Sequence, residues 1–283
     1  NSTWLSLHFL FRSIHKIFSL HAAYMPMTGT SFLRAMAVTA SLFSVVASSA
    51  FVPVDDPHRV SVFDATVSGL APKPPGAFDM YILAQSWQPT FCFGKEQEYP
   101  GCRAPQSYWR SHLTLHGLWP ELSGSAPPSF CSGEAFDADL IERGLGIDTL
   151  HQYWPDVKFS EASPQYPDFW KHEWTRHGTC SGLKQVDYFT HAINLERNET
   201  LAPTPQFVQD HIGKQVDVKK LREAFGDAAL KCQRSKHVTM FSQVFTCWQK
   251  DAHNVPTQRR ACPAHIHSED SCGKGSVTIP AFD

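Results

Sequence analysis

The sequence predicts a single α+β domain, and three observations support this prediction. Apolar residues make up 42% of the 283 residues and charged residues only 18%, so a sizeable core can form. Helix-like and strand-like segments follow one another without the regular alternation of an α/β protein. No repeat, charge run or long Gly/Ser linker interrupts residues 75–283. The sequence also lacks a run of about 20 apolar residues, which argues against a membrane-spanning helix.

Two early segments have the period-two alternation of β-strands. Residues 78–87 place Phe78 and the alternate apolar residues after it on one side. Residues 111–116 place Leu113 and Leu115 on one face and His116 on the other. The later segments with strand character are 238–248 and the apolar closing segment 276–282.

The boundaries of one helix are marked by their residue types. Pro167 and Asp168 can open it, because proline is favoured in the first turn of a helix. The helix is predicted to continue to His177, and Gly178 can end it, because glycine is favoured just after the last turn. Further helices are predicted at 187–197, 205–211 and 218–225.

The first fifty residues are predicted to be upstream sequence plus a secretory signal peptide. Arg34 precedes a short apolar run, 35–46, which small residues ending at Ala50 follow. A basic residue, a short apolar stretch and a small-x-small end are typical of such a signal. A membrane anchor or a buried helix is the alternative, but hydroxyl side chains interrupt the short run. We expect a polar, proline-rich, extended lead-in over 51–77 and the folded domain over 78–283.

The charge distribution excludes one class of protein. The full chain has a net charge of −2 with histidine neutral, but residues 1–50 contain three basic residues and no acidic one. The remainder has 22 basic and 27 acidic residues, a net charge of −5. Proteins that hold a nucleic acid through a strongly basic surface are therefore excluded. The 15 histidines, twelve of them after residue 50, are the unusual feature.

All eight cysteines follow the predicted cleavage site. An even number in an exported chain predicts four disulfides, although the sequence alone leaves 105 pairings open. A zinc site is the alternative, but the chain has no Cys-x-x-Cys pair. Asn198 begins an Asn-Glu-Thr acceptor for N-glycosylation and predicts an exposed loop.

The first candidate motif is the segment 113–120. It places His116 at the end of a short predicted strand, followed by Gly117 and a turn at Trp119 and Pro120. Taken alone, a histidine on a strand is more often an ordinary polar position than a functional one.

The second candidate motif is the segment 171–180. On a helix that advances about 100° per residue, four polar side chains share less than half of the surface. These four are His172, Glu173, Arg176 and His177. A solvated helix face is the alternative, but Trp170, Trp174 and Cys180 frame the cluster with residue types that prefer burial. Coupled titratable groups of this kind are typical of a catalytic site.

A zinc site is disfavoured in the same segment. The His-Glu-x-x-His pattern needs two histidines four residues apart on one helical face. His172 and His177 are five apart, about 140° around the helix, and the cation Arg176 lies between them. We therefore expect no metal and no cofactor.

Both motifs, in this order and about 60 residues apart, resemble the two active-site signatures of the ribonuclease T2 family. The resemblance extends from Phe78 to the closing segment around Ile279. It implies an α+β fold with a central antiparallel sheet packed with several helices. It also implies metal-independent cleavage of single-stranded RNA, whose 2′-hydroxyl is the nucleophile that DNA lacks.

The resemblance also implies a role for each site residue. His177 would be the general base and His116 the general acid, a task that suits histidine because its pKa lies near the working pH. His172 would hold the phosphate, while Glu173 and Arg176 would stabilise the charge of the phosphorane. The family usually has lysine where Arg176 stands, so the resemblance does not predict the rate of RNA cleavage or its dependence on pH. The residues expected to contact the base are Trp119 by stacking, and Glu121 and Gln85 by hydrogen bonds.

The remaining expectations follow from the same resemblance. The implied disulfides are Cys92–Cys102, Cys131–Cys180, Cys232–Cys272 and Cys247–Cys262. We expect a secreted or vacuolar/lysosomal monomer that acts on single-stranded RNA, does not act on DNA and has no stable membrane association. A catalytically inactive storage or recognition protein is one alternative, although His116, His172 and His177 are all present. A metal-dependent secreted nuclease is the other.

Overall fold

The strand Met80–Ser86, β1, is buried on both faces because it lies inside an antiparallel sheet. In this computed structural model, residues 73–235 and 238–283 are described, and all of them belong to one unit of the chain. The predicted signal peptide and residues 51–72 of the predicted lead-in lie outside the described residues. Within 73–77, Ala77 N–H donates to the Pro74 carbonyl across a turn, so the lead-in is not extended there.

The strand order confirms the predicted α+β fold and its largely antiparallel sheet. β2 forms one edge beside β1, and β5 is the longest strand, with β4, β6 and β7 also paired to it. The remaining strands are β2 (Thr114–Glu121), β3 (Lys214–Asp217), β4 (Ala229–Ser235), β5 (Val238–Lys250), β6 (Pro256–Arg260) and β7 (Ser276–Ile279). One pairing, between β5 and β7, is parallel.

Helices pack on the sheet and connect its strands. They are α1 (Gln88–Cys92), α2 (Pro100–Arg103), α3 (Ala138–Leu145), α4 (Ile147–Tyr153), α5 (Asp168–Arg176), α6 (Gln185–Glu196), α7 (Gln206–Asp210), α8 (Val218–Phe225) and α9 (Ala264–His267). The predicted bounds of α8 and the predicted start of α5 are confirmed, α5 ends one residue early, and α6 and α7 differ by one or two residues at each end. None of the helices in residues 73–235 and 238–283 is long and apolar enough to span a bilayer.

All four predicted strand segments differ from the observed bounds, and the difference is most consequential at β2. β2 begins at Thr114 rather than at residue 111 and continues through Pro120 to Glu121, so His116 lies inside the strand and Pro120 is not in a turn. Proline is tolerated there because β2 is an edge strand, where a missing N–H breaks no internal hydrogen bond.

Large aromatic side chains fill the space between β1 and the helices. Trp170 and Trp174 of α5 and Tyr188 of α6 are fully buried there, beside Tyr81 and Leu83 of β1. The other face of β1 packs in a smaller cluster around the Cys247–Cys262 disulfide. The structure contains the four disulfides that the resemblance implied: Cys92–Cys102, Cys131–Cys180, Cys232–Cys272 and Cys247–Cys262.

Candidate active site

His116 enters the site from a β-bulge. Ala84 of β1 pairs with Gly117, and the next residue, Gln85, pairs with Leu115, so His116 is the extra residue of β2. In a regular strand His116 and Trp119 would point to opposite faces, because they are three residues apart. A bulge re-aims side chains, and both residues line the same pocket.

The end of α5 provides the rest of the polar cluster. His172, Glu173, Arg176 and His177 all line this pocket, as the helical spacing predicted. His177 itself caps the helix and is followed by a 3-10 turn, Gly178–Cys180, so the helix ends one residue earlier than predicted. Trp170 and Trp174 point away from the pocket into the core and anchor the helix. The polar cluster therefore lies on the arc of the helix that faces the pocket, while the opposite arc packs in the core.

Glu173 connects the two motifs. Its side chain is only 1% exposed, and its Oε2 accepts a 2.8 Å hydrogen bond from Trp119 Nε1. Its Oε1 lies 3.8 Å from His116 Nε2. Gly117 permits this approach, because a Cβ at residue 117 would overlap Glu173 Oε2 and Trp119 Nε1. Glycine is thus required by packing at this position.

Both proposed catalytic imidazoles contact the Trp119 ring. The His177 ring stacks on the indole at a centroid distance of 5.1 Å, and His116 meets it nearly edge-on at 5.0 Å. His116 Nδ1 lies 3.2 Å from Gln243 Oε1 of β5, which accepts a hydrogen bond from it. A protonated Nδ1 leaves Nε2 of the neutral ring as the atom that exchanges a proton in the pocket.

Burial shifts the pKa values of the histidines. It lowers the pKa of His116 from 6.5 to about 4, with the hydrogen bond to Gln243 opposing this shift. It also lowers the pKa of His172, to which the positive charge of Arg176 adds. For His177, burial and then the charges of Arg176 and the two other histidines lower the pKa well below its ordinary value. These shifts favour the neutral form of the three imidazoles.

The carboxyl of Glu173 shifts in the opposite direction. Burial raises its pKa from 4.5 to about 8, although the hydrogen bond from Trp119 and the charge of Arg176 oppose the rise. Near neutral pH, Glu173 is thus protonated while His116 beside it is neutral. Glu173 therefore holds a proton beside Nε2 of His116, the residue expected to act as the general acid.

The pocket has a volume of about 490 Å³ and a second wall that the sequence did not predict. Ile82 and Phe245 form its apolar part, and the segment around α9 contributes this second wall. On this wall His265 Nε2 lies 3.5 Å from Glu121 Oε1, and burial raises the pKa of Glu121. Glu121 is one of the predicted site residues. No local signal marks Ile82, Phe245 or His265, because they are brought to the pocket by the pairing of β1 with β5, which lie more than 150 residues apart in the chain.

One residue predicted to contact the base, Gln85, lies outside the pocket. Gln85 is buried, and its amide donates to Glu196 Oε2 at 3.0 Å and to the Ala202 carbonyl, so it fastens α6 to β1 rather than lining the pocket. Asn198 lies in the loop after α6 and borders a separate, larger pocket of about 730 Å³. Its Oδ1 accepts hydrogen bonds from the N–H and hydroxyl of Thr200.

The described part of the chain was expected to contain no metal site, and zinc binding was the alternative. Residues 73–235 and 238–283 contain no group of three or more His, Cys, Asp or Glu side chains placed to hold a metal ion. The four disulfides use all eight cysteines.

Several known proteins are similar to this chain in sequence and in fold. Ribonuclease MC of Momordica charantia is 31% identical over 201 residues, which cover 67% of this chain and 99% of the relative. Ribonuclease DdI of Dictyostelium discoideum is 34% identical over 139 residues, which cover 48% of this chain and 56% of the relative. The match thus spans little more than half of the Dictyostelium protein.

Solved structures give the same result. The crystal structure of human RNase T2 is 25% identical, with a TM-score of 0.56 over 73% of this chain and 100% of that chain. A variant of RNase MC1 solved in complex with 5′-UMP is 22% identical, with a TM-score of 0.55 over 71% and 98% of the two chains, and shares the fold. Residues 78–259, more than half of the chain, match the Ribonuclease T2 family. On its two motifs, its fold and this match, the chain belongs to the Ribonuclease T2 family.

Proposed function

We propose that this protein is an endoribonuclease that cleaves single-stranded RNA without a metal ion, through a 2′,3′-cyclic phosphate. Membership of the family supports the broader conclusion that the protein is an RNA endonuclease. The observation that carries the mechanism is the meeting of His116 and His177 on one indole ring, beside Glu173, His172 and Arg176. Two imidazoles in one pocket provide one group to accept a proton and another to donate one.

In the first step, RNA provides its own nucleophile. His177 accepts the proton of the 2′-hydroxyl, and the 2′-oxygen forms a bond to phosphorus. The bond from phosphorus to the 5′-oxygen breaks, and His116 donates a proton to that oxygen. The products are a 2′,3′-cyclic phosphate and a free 5′-hydroxyl.

In the second step the two histidines exchange roles. His116, now neutral, accepts a proton from water, whose oxygen forms a bond to phosphorus. The bond to the 2′-oxygen breaks, and protonated His177 returns its proton to that oxygen. The product is a 3′-phosphate, and both imidazoles regain their first protonation state.

The charges in the pocket support these steps. Arg176 and His172 line the same pocket as His116 and His177, so a phosphate bound there would lie beside positive charge, and an anion favours protonated imidazole. Bound phosphate therefore raises the pKa of His116 and enables it to act as an acid. The negative charge that grows on the phosphorane is stabilised by Arg176 in a largely buried site, where such an interaction is stronger than in water.

The base is proposed to bind between the two walls of the pocket. Trp119 presents its ring there, and the proposed stacking uses the surface that His177 does not cover. Glu121 lies beside it and can accept a hydrogen bond from an amino or imino group of the base. The position of Gln85, away from the pocket, gives no support for a contact with the base.

The test is a cleavage assay with matched substrates. RNA, DNA and RNA carrying one 2′-deoxynucleotide at the cut site are incubated at pH 5 and 7, with and without chelator. We expect chelator-resistant cleavage of RNA to cyclic phosphates, with DNA and the 2′-deoxy site intact. His116→Ala and His177→Ala should each abolish most turnover. Cleavage of DNA, or loss of RNA cleavage with chelator, would support a metal-dependent nuclease instead.

The protein is also proposed to reach the secretory pathway. Four disulfides support this, because they form and persist in oxidising compartments. The check is mass spectrometry of the mature N-terminus after expression in a secreting cell, where Phe51 is the expected first residue. A mature chain that retains residues 1–50 would contradict the proposed signal peptide, and peptide mapping would report sugar on Asn198.

A further inference from the structure

Phe130 has an unusual backbone conformation for its residue type. Its φ is +53°, in the left-handed region that bulky residues rarely adopt. Among residues 73–235 and 238–283, the other non-glycine residue with positive φ is Asn254, and asparagine tolerates this region. A strained residue persists only where the surrounding structure enforces it, and such residues cluster at functional sites.

The loop that carries Phe130 is fastened to the end of α5. The N–H of Phe130 donates a 2.9 Å hydrogen bond to the Arg176 carbonyl. The next residue, Cys131, donates its N–H to Thr179 Oγ1 at 3.2 Å and forms the disulfide to Cys180. Three successive links thus enforce the conformation of Phe130 beside the residues that carry the chemistry.

The ring of Phe130 is placed against a catalytic cation. Arg176 Cζ lies 5.9 Å from the ring centroid, within the range of a cation–π contact. In the described part of the chain, the ion pairs within 4.0 Å do not include the Arg176 guanidinium. Phe130 is 40% exposed, so its ring does not contribute to the core.

We propose that Phe130 is a positioning residue that holds the Arg176 guanidinium in the pocket, and that its strained backbone is what places the ring there. The proposal rests on the proposed function, in which Arg176 stabilises the phosphorane. A planar guanidinium stacks on an aromatic face, whereas an ammonium behaves as a point charge. The arginine that replaces the lysine usual in the family thus has a neighbour suited to its shape.

Three substitutions separate the ring from the strain. Phe130→Gly removes both, Phe130→Leu keeps the strain and the apolar bulk but removes the π face, and Phe130→Tyr keeps both. We expect kcat on RNA to fall about two- to fivefold in the glycine and leucine variants, the scale of one exposed cation–π contact, and to recover with tyrosine. The urea midpoint of Phe130→Gly should stay level or rise, because glycine adopts positive φ without strain.

Phe93 provides a matched control. It is also an exposed phenylalanine beside a disulfide cysteine, Cys92, but it does not line the pocket and its φ is −55°. Phe93→Gly should lower the urea midpoint and leave kcat unchanged. A Phe130→Gly variant that loses stability in parallel with activity, as a structural residue would, overturns the proposal.

Titration of the neighbouring histidines tests the route through Arg176. The charge of Arg176 lowers the pKa of His172 and His177, so NMR titration should find both pKa values raised in Phe130→Leu and Phe130→Gly. In an Arg176→Gln background, Phe130→Gly should cause no further rise. Unchanged titrations, or equal shifts in both backgrounds, overturn the proposal. A wild type that does not cleave RNA overturns the proposed function instead, and the titrations still decide whether Phe130 positions Arg176.

Discussion

The indole N–H of Trp119 donates a 2.8 Å hydrogen bond to Oε2 of Glu173. This bond joins the edge strand β2 to helix α5, so one donor and one buried carboxyl fix the two motifs relative to each other. The same indole ring stacks on His177, so Trp119 supports a proposed catalytic group and is also a candidate surface for the base.

Trp119→Phe should separate these two roles. Phenylalanine keeps a ring against His177 but removes the donor to a buried carboxyl, which we expect to cost about 1–3 kcal/mol of unfolding free energy. Because the hydrogen bond lowers the pKa of Glu173, its removal should raise that pKa further, and kcat should fall. Urea unfolding and infrared titration of the carboxyl provide the measurements. Trp109→Phe is the matched control: it loses a 2.9 Å indole hydrogen bond to the Gln152 carbonyl, outside the pocket, and should lower stability while kcat is unchanged.

Gly117→Ala should disrupt the same junction by adding one carbon. The new Cβ would overlap Glu173 Oε2 and Trp119 Nε1, which are joined by a hydrogen bond. We expect a loss of about 1–3 kcal/mol of stability and at least about a tenfold loss of kcat, since a small displacement of catalytic groups is costly. Thermal unfolding and RNA turnover measure the two effects. Gly133→Ala, at a position with no atom within 4 Å of the added Cβ, should change neither stability nor turnover. If both variants lose stability and turnover equally, steric overlap at Gly117 is not the cause.

The sequence predicted the parts of the site that are encoded locally. The helix at α5 has its own start and stop signals, and its period places His172, Glu173 and Arg176 on one arc before any tertiary contact is considered. The bulge at His116 has no local signal, because a register shift depends on how β1 pairs with β2. A short apolar run followed by Trp-Pro instead predicted a strand end and a turn.

Long-range pairing explains the remaining differences. Gln243 reaches His116 only because β1 pairs with a strand that follows it by more than 150 residues in the chain. The wall near His265 depends in the same way on the Cys247–Cys262 disulfide and on the pairing of β5. The sequence predicts a base contact for Gln85, but its side chain points to α6, where it donates a hydrogen bond to the buried Glu196.

Gln243→Leu should weaken the proposed general acid. The hydrogen bond with Gln243 raises the pKa of His116, so without it that pKa should fall further below about 4, and the protonated fraction should fall with it. We expect kcat to decrease about two- to tenfold, the scale of one hydrogen bond, and the alkaline limb of the kcat profile, where the general acid loses its proton, to move to lower pH. Gln249→Leu, the same change on an exposed side chain of β5, is the control. An unaltered pH profile in Gln243→Leu would leave Gln243 without a part in tuning His116.

Glu173→Gln should change how stability depends on pH. The pKa of Glu173 is raised from 4.5 to about 8 on folding, so between these values the folded state binds more protons than the unfolded state. Its contribution to stability is therefore fully present below pH 4.5 and is lost as the pH rises through about 8. Glutamine cannot lose a proton, so the variant should gain stability relative to wild type as the pH rises, on the order of a few kcal/mol by pH 8.

The histidines affect the pH dependence of stability in the opposite direction, and they determine the pH range in which the effect of Glu173 can be measured. The pKa of His116 falls from 6.5 to about 4 on folding, so its contribution to stability is present above pH 6.5 and is lost as the pH falls towards 4. Urea unfolding of wild type and Glu173→Gln at pH 6.5, 7.25 and 8 therefore isolates the carboxyl. Glu223→Gln, on an exposed side chain of α8, controls for the loss of a formal charge. If the difference in unfolding free energy between wild type and Glu173→Gln does not grow with pH, Glu173 is already ionised at neutral pH. In that case Glu173 does not hold a proton beside His116.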